Sequence, residues 1–177
     1  MDCKLIVSSL ALLTAACAGM QNPPAANVPD NLKPSASESV AIVAAARGVQ
    51  IYECKPAKDQ AGTFEWSFVA PEAELFDASG KKIGKHYAGP HWEANDGSKI
   101  VGTVKARADA PQADAVPWLL LATKSDGGQG SFSRITAVQR VNTVGGVAPK
   151  TGCSQSSLGT VVRIPYTADY YLLAEKN

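Results

Sequence analysis

The chain lacks a second apolar run of membrane length, any basic tract, any C-x-x-C pair, any G-x-S-x-G elbow and any G-x-G-x-x-G loop. Each absence removes a class. A spanning helix needs about 20 apolar residues, so nothing beyond the N-terminus reads as a membrane helix. Lysine plus arginine (17) nearly equals aspartate plus glutamate (16), and the cations are scattered. No stripe tracks phosphates, which argues against a nucleic-acid partner. The missing C-x-x-C disfavours dithiol redox chemistry. The missing elbow disfavours an α/β-hydrolase serine, and the missing glycine loop a dinucleotide cofactor. No repeat of solenoid period is present. No cofactor is expected.

What is present begins at the N-terminus. Met1-Asp2-Cys3-Lys4 precedes the apolar stretch Leu5 to Leu13, and Thr14-Ala15-Ala16-Cys17 follows it. A stretch of about 9 residues is too short to span and has the length and flanks of a secretory h-region. Residues 1–17 are therefore expected to be a signal peptide. Thr14 to Cys17 resembles a bacterial lipobox, with Cys17 as the lipidated first residue of the mature protein. Ala16-Cys17-Ala18 also fits ordinary A-x-A cleavage. The expected location is the outer membrane, as a lipoprotein facing the periplasm, or the periplasm or exterior as a soluble protein. Position 18 is Ala rather than the Asp that resembles an inner-membrane retention signal.

Residues 18–36 are rich in proline and asparagine and read as a flexible tether. The remainder, 37–177, suits one domain. Cys54 and Cys153 are an even pair in an exported chain, and a structural disulfide is expected between them.

From Ser37 the pattern is β. Residues 40–45 are apolar on both faces, and an alanine-rich helix competes until Gly48 interrupts it. In Val49 to Cys54 the alternation sends Val49, Ile51 and Glu53 one way and Gln50, Tyr52 and Cys54 the other. Phe64 to Val69 and Lys99 to Ala108 alternate likewise, and Trp118 to Thr123 is a continuous apolar run. Ser79-Gly80 and Asn95-Asp96-Gly97-Ser98 are turn signals. Residues 135–141 are ambiguous between helix and strand, and their β-branched content favours strand. Pro165 divides the last apolar segment and marks an edge or bend. Adjacent Tyr170 and Tyr171 must face opposite ways on a strand. The expected class is all-β: a single-domain sandwich or barrel of short antiparallel strands.

Several phrases together resemble one family: Gly48-Val49-Gln50-Ile51-Tyr52-Glu53-Cys54, Trp66 to Leu75, His86-Tyr87-Ala88-Gly89-Pro90-His91-Trp92-Glu93-Ala94, Val138 to Thr143, and Pro165 to Tyr171. In this order they look like DUF3455, a family of exported bacterial and fungal proteins. The resemblance covers about residues 28–173 and implies no particular activity. His91 stands where the family's run carries threonine, which speaks against an essential role for it.

The densest polar cluster lies between His86 and Ser98. His91 and Glu93 share a face on a strand, and His86, His91 and Glu93 form a weak two-histidine, one-carboxylate metal set. His86, Tyr87, Trp92, Glu93 and Asp96 are the ligand-binding candidates. The leading expectation is a non-catalytic envelope domain that binds a small molecule, glycan or protein partner, held to the membrane through a lipid at Cys17. The alternatives are a hydrolase or metal-dependent enzyme using His86, Glu93 and Asp96, and a purely structural envelope protein.

Overall fold

The computed structural model describes residues 27–176. The expected signal peptide of residues 1–17, with its lipobox-like end and Cys17, lies outside them. Eight antiparallel strands follow one another around a closed barrel: β1 (Glu38–Pro56), β2 (Phe64–Phe76), β3 (Lys82–Tyr87), β4 (His91–Ala94), β5 (Lys99–Ala108), β6 (Trp118–Ser125), β7 (Ile135–Gly145) and β8 (Val161–Glu175). Each strand pairs with the next, and β8 closes on β1 over a register from Glu38↔Glu175 to Glu53↔Val161.

The all-β expectation holds, and the barrel is the form realised. The strands are not uniformly short. β1 has 19 residues, β2 13 and β8 15. Register shifts at Ile51/Tyr52, Leu75/Phe76, Val104/Ala106 and Val141/Val144 let these long strands bend around the barrel. An extra residue in one strand raises local twist and kinks it, and closure depends on such kinks.

Pro165 does not end the strand; it lies inside β8, with an edge on its β7 side alone. It pairs with Val49 of β1. On the other side the pairing with β7 has ended at Gly145↔Tyr166, so no ladder bond is asked of a missing N–H there. Residues 135–141 are strand, within β7.

Two apolar clusters explain the residues that are apolar on both faces. Inside the barrel, Ala44, Ala46, Leu75, Ile100, Phe132, Ile135, Val138, Leu172 and their neighbours pack into a core that fills one end. Outside, Trp118, Leu120, Ala137, Val141, Tyr171 and Leu173 form a second cluster, with Val40 and Val43 against it. Tyr170 accordingly points into the barrel and Tyr171 out of it, and both are buried.

The outer cluster is covered by chain that composition assigns to the tether. Asp30–Leu32 form a 3-10 turn, Leu32 is fully buried, and Val28 packs beside it. The Leu32 carbonyl accepts a 2.7 Å bond from Gln139 Nε2, a buried amide on the outward side of β7. The packed body thus starts near Val28 rather than Ser37. One leucine in a proline-rich stretch is buried in the apolar cluster on the barrel's outside.

Cys54 and Cys153 are bonded across a separation of 99 residues, with Cα atoms 5.3 Å apart. The bond ties the β7–β8 connection to β1. Tyr52 Oη donates to Gly146 O at 2.7 Å and Trp66 Nε1 to Thr151 O at 2.9 Å, fixing the same segment at two further points.

Candidate ligand cavity

The core fills one end of the barrel and leaves a cavity of about 570 Å³ toward the other. Trp92, Leu121 and Tyr170 belong to both core and cavity wall and make its floor. Phe68, Val69 and Val104 are on its rim, 56%, 47% and 52% exposed. Between floor and rim stand Gln50, Tyr52, His86, Leu119 and Arg140. The size falls within the usual range for sites that hold one small molecule, roughly 300–1,000 Å³. An eight-stranded barrel is just wide enough for such a space when its inward side chains do not fill it.

Strand register places each group. His86 on β3 pairs with Trp92 on β4, so their side chains share the inner face. The rings stack with centroids 4.4 Å apart, and Tyr170 meets both edge-on, at 5.1 and 5.6 Å. Gly102 on β5 makes room for this. A Cβ there would come within 2.8 Å of Trp92 Cζ3, so the indole lies where another residue's side chain would stand. Arg140 on β7 pairs with Leu119 on one side and Tyr170 on the other, which turns its side chain inward among theirs.

Several polar groups in this apolar wall have unused valences. His86 Nδ1 lies 2.8 Å from His91 O. A carbonyl only accepts, so Nδ1 carries the proton and Nε2 is the bare acceptor. Burial pushes the imidazole down to about 3, and the charges of Arg140 and His91 push the same way against the opposing carbonyl bond. His86 is therefore neutral at ordinary pH. Arg140 donates from Nε and Nη2 to Pro117 O at 3.1 and 2.8 Å. Its Nη1 has no hydrogen-bond partner, and it has no carboxylate partner, among the described residues. Gln50 is 2% exposed and Trp92 1%; Trp92 Nε1 has no partner among the described residues, while the Gln50 amide is directed at the Tyr166 hydroxyl. Tyr166, beneath them, has its hydroxyl 3.4 Å from that of Tyr170, and burial raises it far above the usual phenol range.

The sequence candidates divide between two faces. His86 and Trp92 line the cavity. Tyr87, His91 and Glu93 stand outside, as the alternation of β3 and β4 requires. There they are already engaged. Tyr87 Oη donates to Glu93 Oε2 at 2.6 Å, and Lys85 Nζ is 3.1 Å from Glu93 Oε1. His91 stacks on Tyr87 and has Nε2 3.0 Å from Asp126 Oδ2, which Lys99 Nζ meets at 3.1 Å. Desolvation and the Glu93 bond raise the Tyr87 phenol to about 12, while bonds from Tyr87 and Lys85 hold Glu93 below its usual value. His91 and Glu93 do share a face, but His86 is on the other, so the three do not converge on one metal position.

Asp96 is elsewhere again, at the β4–β5 turn. It accepts from Ser98 N and Oγ at 3.0 and 2.6 Å, and from Ser131 N and Oγ at 2.8 and 2.5 Å. These bonds, those of Ser131 foremost, hold its carboxyl far below the usual range. Asp96 pins the β4–β5 turn to the β6–β7 connection. His86, Glu93 and Asp96 therefore occupy three separate environments rather than one acid–base site.

Gln50, Arg140 and Tyr52 are the cavity residues that pattern reading passes over. A signal existed for Gln50: it alternates in phase with Tyr52 and Cys54 on the inward face, and a polar residue there needs a partner. Arg140 had no such flag, because an arginine in a strand usually points to solvent.

A family profile described as "Protein of unknown function (DUF3455)" matches residues 34–174. No curated protein and no solved structure matches the chain.

Proposed function

The chain belongs to the DUF3455 family, and we propose that it is a non-catalytic binding protein holding one small, largely apolar molecule inside its barrel. One observation carries the reading. A half-open, aromatic-walled cavity contains a buried indole donor, Trp92 Nε1, that no atom of the described residues satisfies. Leaving such a group unpaired costs about 1–3 kcal/mol, and a ligand that pairs it recovers that cost. The exposed apolar rim offers an entrance. The neutral, low-pKa His86 is a weak base, which favours an acceptor role toward a ligand over proton abstraction.

The test is titration with N-phenyl-1-naphthylamine, a neutral dye that brightens in apolar sites. The expected result is saturable binding at one site, lost in Leu119→Trp, which fills the cavity from β6. An absence of binding to folded wild-type protein, or equal binding to Leu119→Trp, refutes the reading.

We further propose that the barrel works outside the cytosol, with the signal cleaved before Cys17 and Cys17, then the first residue, lipidated on the outer membrane. The Cys54–Cys153 bond supports an oxidising compartment. Labelled palmitate incorporated by wild type and not by Cys17→Ser is the expected outcome. Unlabelled protein in the soluble periplasmic fraction would favour ordinary cleavage, and protein retained in the cytosol would refute export.

A further inference from the structure

We propose that the molecule in this cavity is an organic anion, a carboxylate or sulfonate on an apolar body, with its acidic group held by Arg140. The inference rests on the binding reading above and adds the ligand's charge class. The charge pattern of the wall carries it. Arg140 and Arg107 line the cavity, and among the described residues no aspartate or glutamate does. Elsewhere on the barrel cations meet carboxylates: Arg163 meets Glu72 at 2.7 Å, Lys85 meets Glu93, and Lys99 meets Asp126. Arg140 instead sits half-buried between Leu119 and Tyr170. It is anchored by two bonds to a single backbone oxygen, which fixes the guanidinium plane and leaves Nη1 uncommitted.

A guanidinium removed from water without a counter-charge is costly, and a bound anion offsets that cost. Its planar fork suits a carboxylate or sulfonate. The anchoring by Pro117 means little side-chain freedom is lost on binding. Gln50 Nε2, directed also at the Tyr166 hydroxyl, is a second buried donor on the same wall. His86 would oppose an anion only as a bare acceptor, and Trp92 Nε1 adds an unpaired donor beside it. The aromatic floor of Trp92 and Tyr170 and the Phe68 and Val104 rim suit the apolar body.

A matched pair of dyes separates this inference from the parent reading. 8-Anilinonaphthalene-1-sulfonate and N-phenyl-1-naphthylamine differ by the sulfonate alone. Both are titrated against wild type, Arg140→Gln and Arg140→Lys, with folding checked by circular dichroism. The expected result is tighter binding of the sulfonate by wild type. Arg140→Gln should weaken the sulfonate about tenfold or more, the size of a lost charge-assisted bond. The neutral dye should change less than about twofold, and Arg140→Lys should restore part of the loss. If both dyes bind wild type with the sulfonate no tighter, or if Arg140→Gln weakens both equally, the anion inference falls while the cavity reading stands. If neither dye binds, the cavity reading itself falls and takes this inference with it. Should Arg140→Gln fail to fold, the wild-type ratio of the two affinities and its decline with added salt decide the matter. A ratio at or below one overturns the inference.

Discussion

Acidification from pH 7 to pH 5 should remove about 2 kcal/mol of stability through one residue, His86. The imidazole is buried against Trp92 and Tyr170 and held near 3, against an ordinary value of 6.5. Above 6.5 it is neutral in folded and unfolded chains alike. Below 6.5 the unfolded chain takes up a proton that the native protein refuses until about pH 3. The unfolded state then binds more protons, so stability falls with pH across that window. With about 1.4 kcal/mol per unit, the loss is about 2 kcal/mol at pH 5 and about 3 kcal/mol at pH 4. The lowered carboxylates, among them Glu72, Glu93 and Asp126, add their own losses only near and below their ordinary values of 4.5 and 3.8, so the interval from 7 to 5 isolates the histidine. The groups facing it are Trp92, Tyr170, the His91 carbonyl and, at longer range, Arg140. Urea titrations at pH 7, 6 and 5 measure the effect in wild type and His86→Phe. The variant keeps a ring on Trp92 and forfeits the Nδ1 bond, so its stability at pH 7 is lower, but its decline toward pH 5 should nearly vanish. His91→Gln, a change on the outer face, should keep the wild-type decline. A wild-type loss below about 0.5 kcal/mol, or an undiminished decline in His86→Phe, would refute the argument.

Opening the disulfide by Cys54→Ala with Cys153→Ala should lower stability by about 2–5 kcal/mol, since the loop closed is long, and urea midpoints of native and doubly substituted protein check this. Leu32→Ala should cost about 2–4 kcal/mol by thermal denaturation, as for a fully buried core leucine, although its neighbours in sequence read as linker. Asp96→Ala should lower the melting temperature and speed amide exchange at Ser131 and Phe132, whose N–H groups bond to Asp96 Oδ2 and Ser98 Oγ respectively. Unchanged exchange at both amides would mean that Asp96 does not pin the two turns.

How much of this was legible in the sequence varies by element, for physical reasons. Period-two patterns gave β5 with its observed bounds and the inward set of Gln50, Tyr52 and Cys54. The Ser79-Gly80 and Asn95 to Ser98 turns were readable because Gly80 and Gly97 sit at φ 81° and 84°, which other residues adopt at a cost. The ordered N-terminal segment was not legible. Composition predicts what a segment does in isolation, and Leu32 is ordered by a tertiary partner, the outer face of β6 to β8. That face is apolar because of the strap, and the strap is packed because of the face, so neither half announces itself alone. Choosing barrel over sandwich was likewise beyond local pattern, because closure is decided by the β1–β8 pairing, across the whole length of the domain.

The site shows the same limit in a sharper form. Linear density drew attention to the stretch from His86 to Ser98, and the strands then sorted its members by parity: His86 and Trp92 inward, Tyr87, His91 and Glu93 outward, Asp96 into a turn. Parity could have been read from the alternation, since residues 86 and 92 differ by an even number and a tight turn preserves face across a hairpin. What could not be read is which interior positions stay unfilled. That depends on where Ala44 and Ala46 let the core fill one end, and where Gly102 lets Trp92 lie flat, so that the remaining space falls beside Arg140. A charged residue at an inward position is costly in a filled barrel, so its presence beside an unfilled volume argues for an occupant that the folded chain does not itself supply.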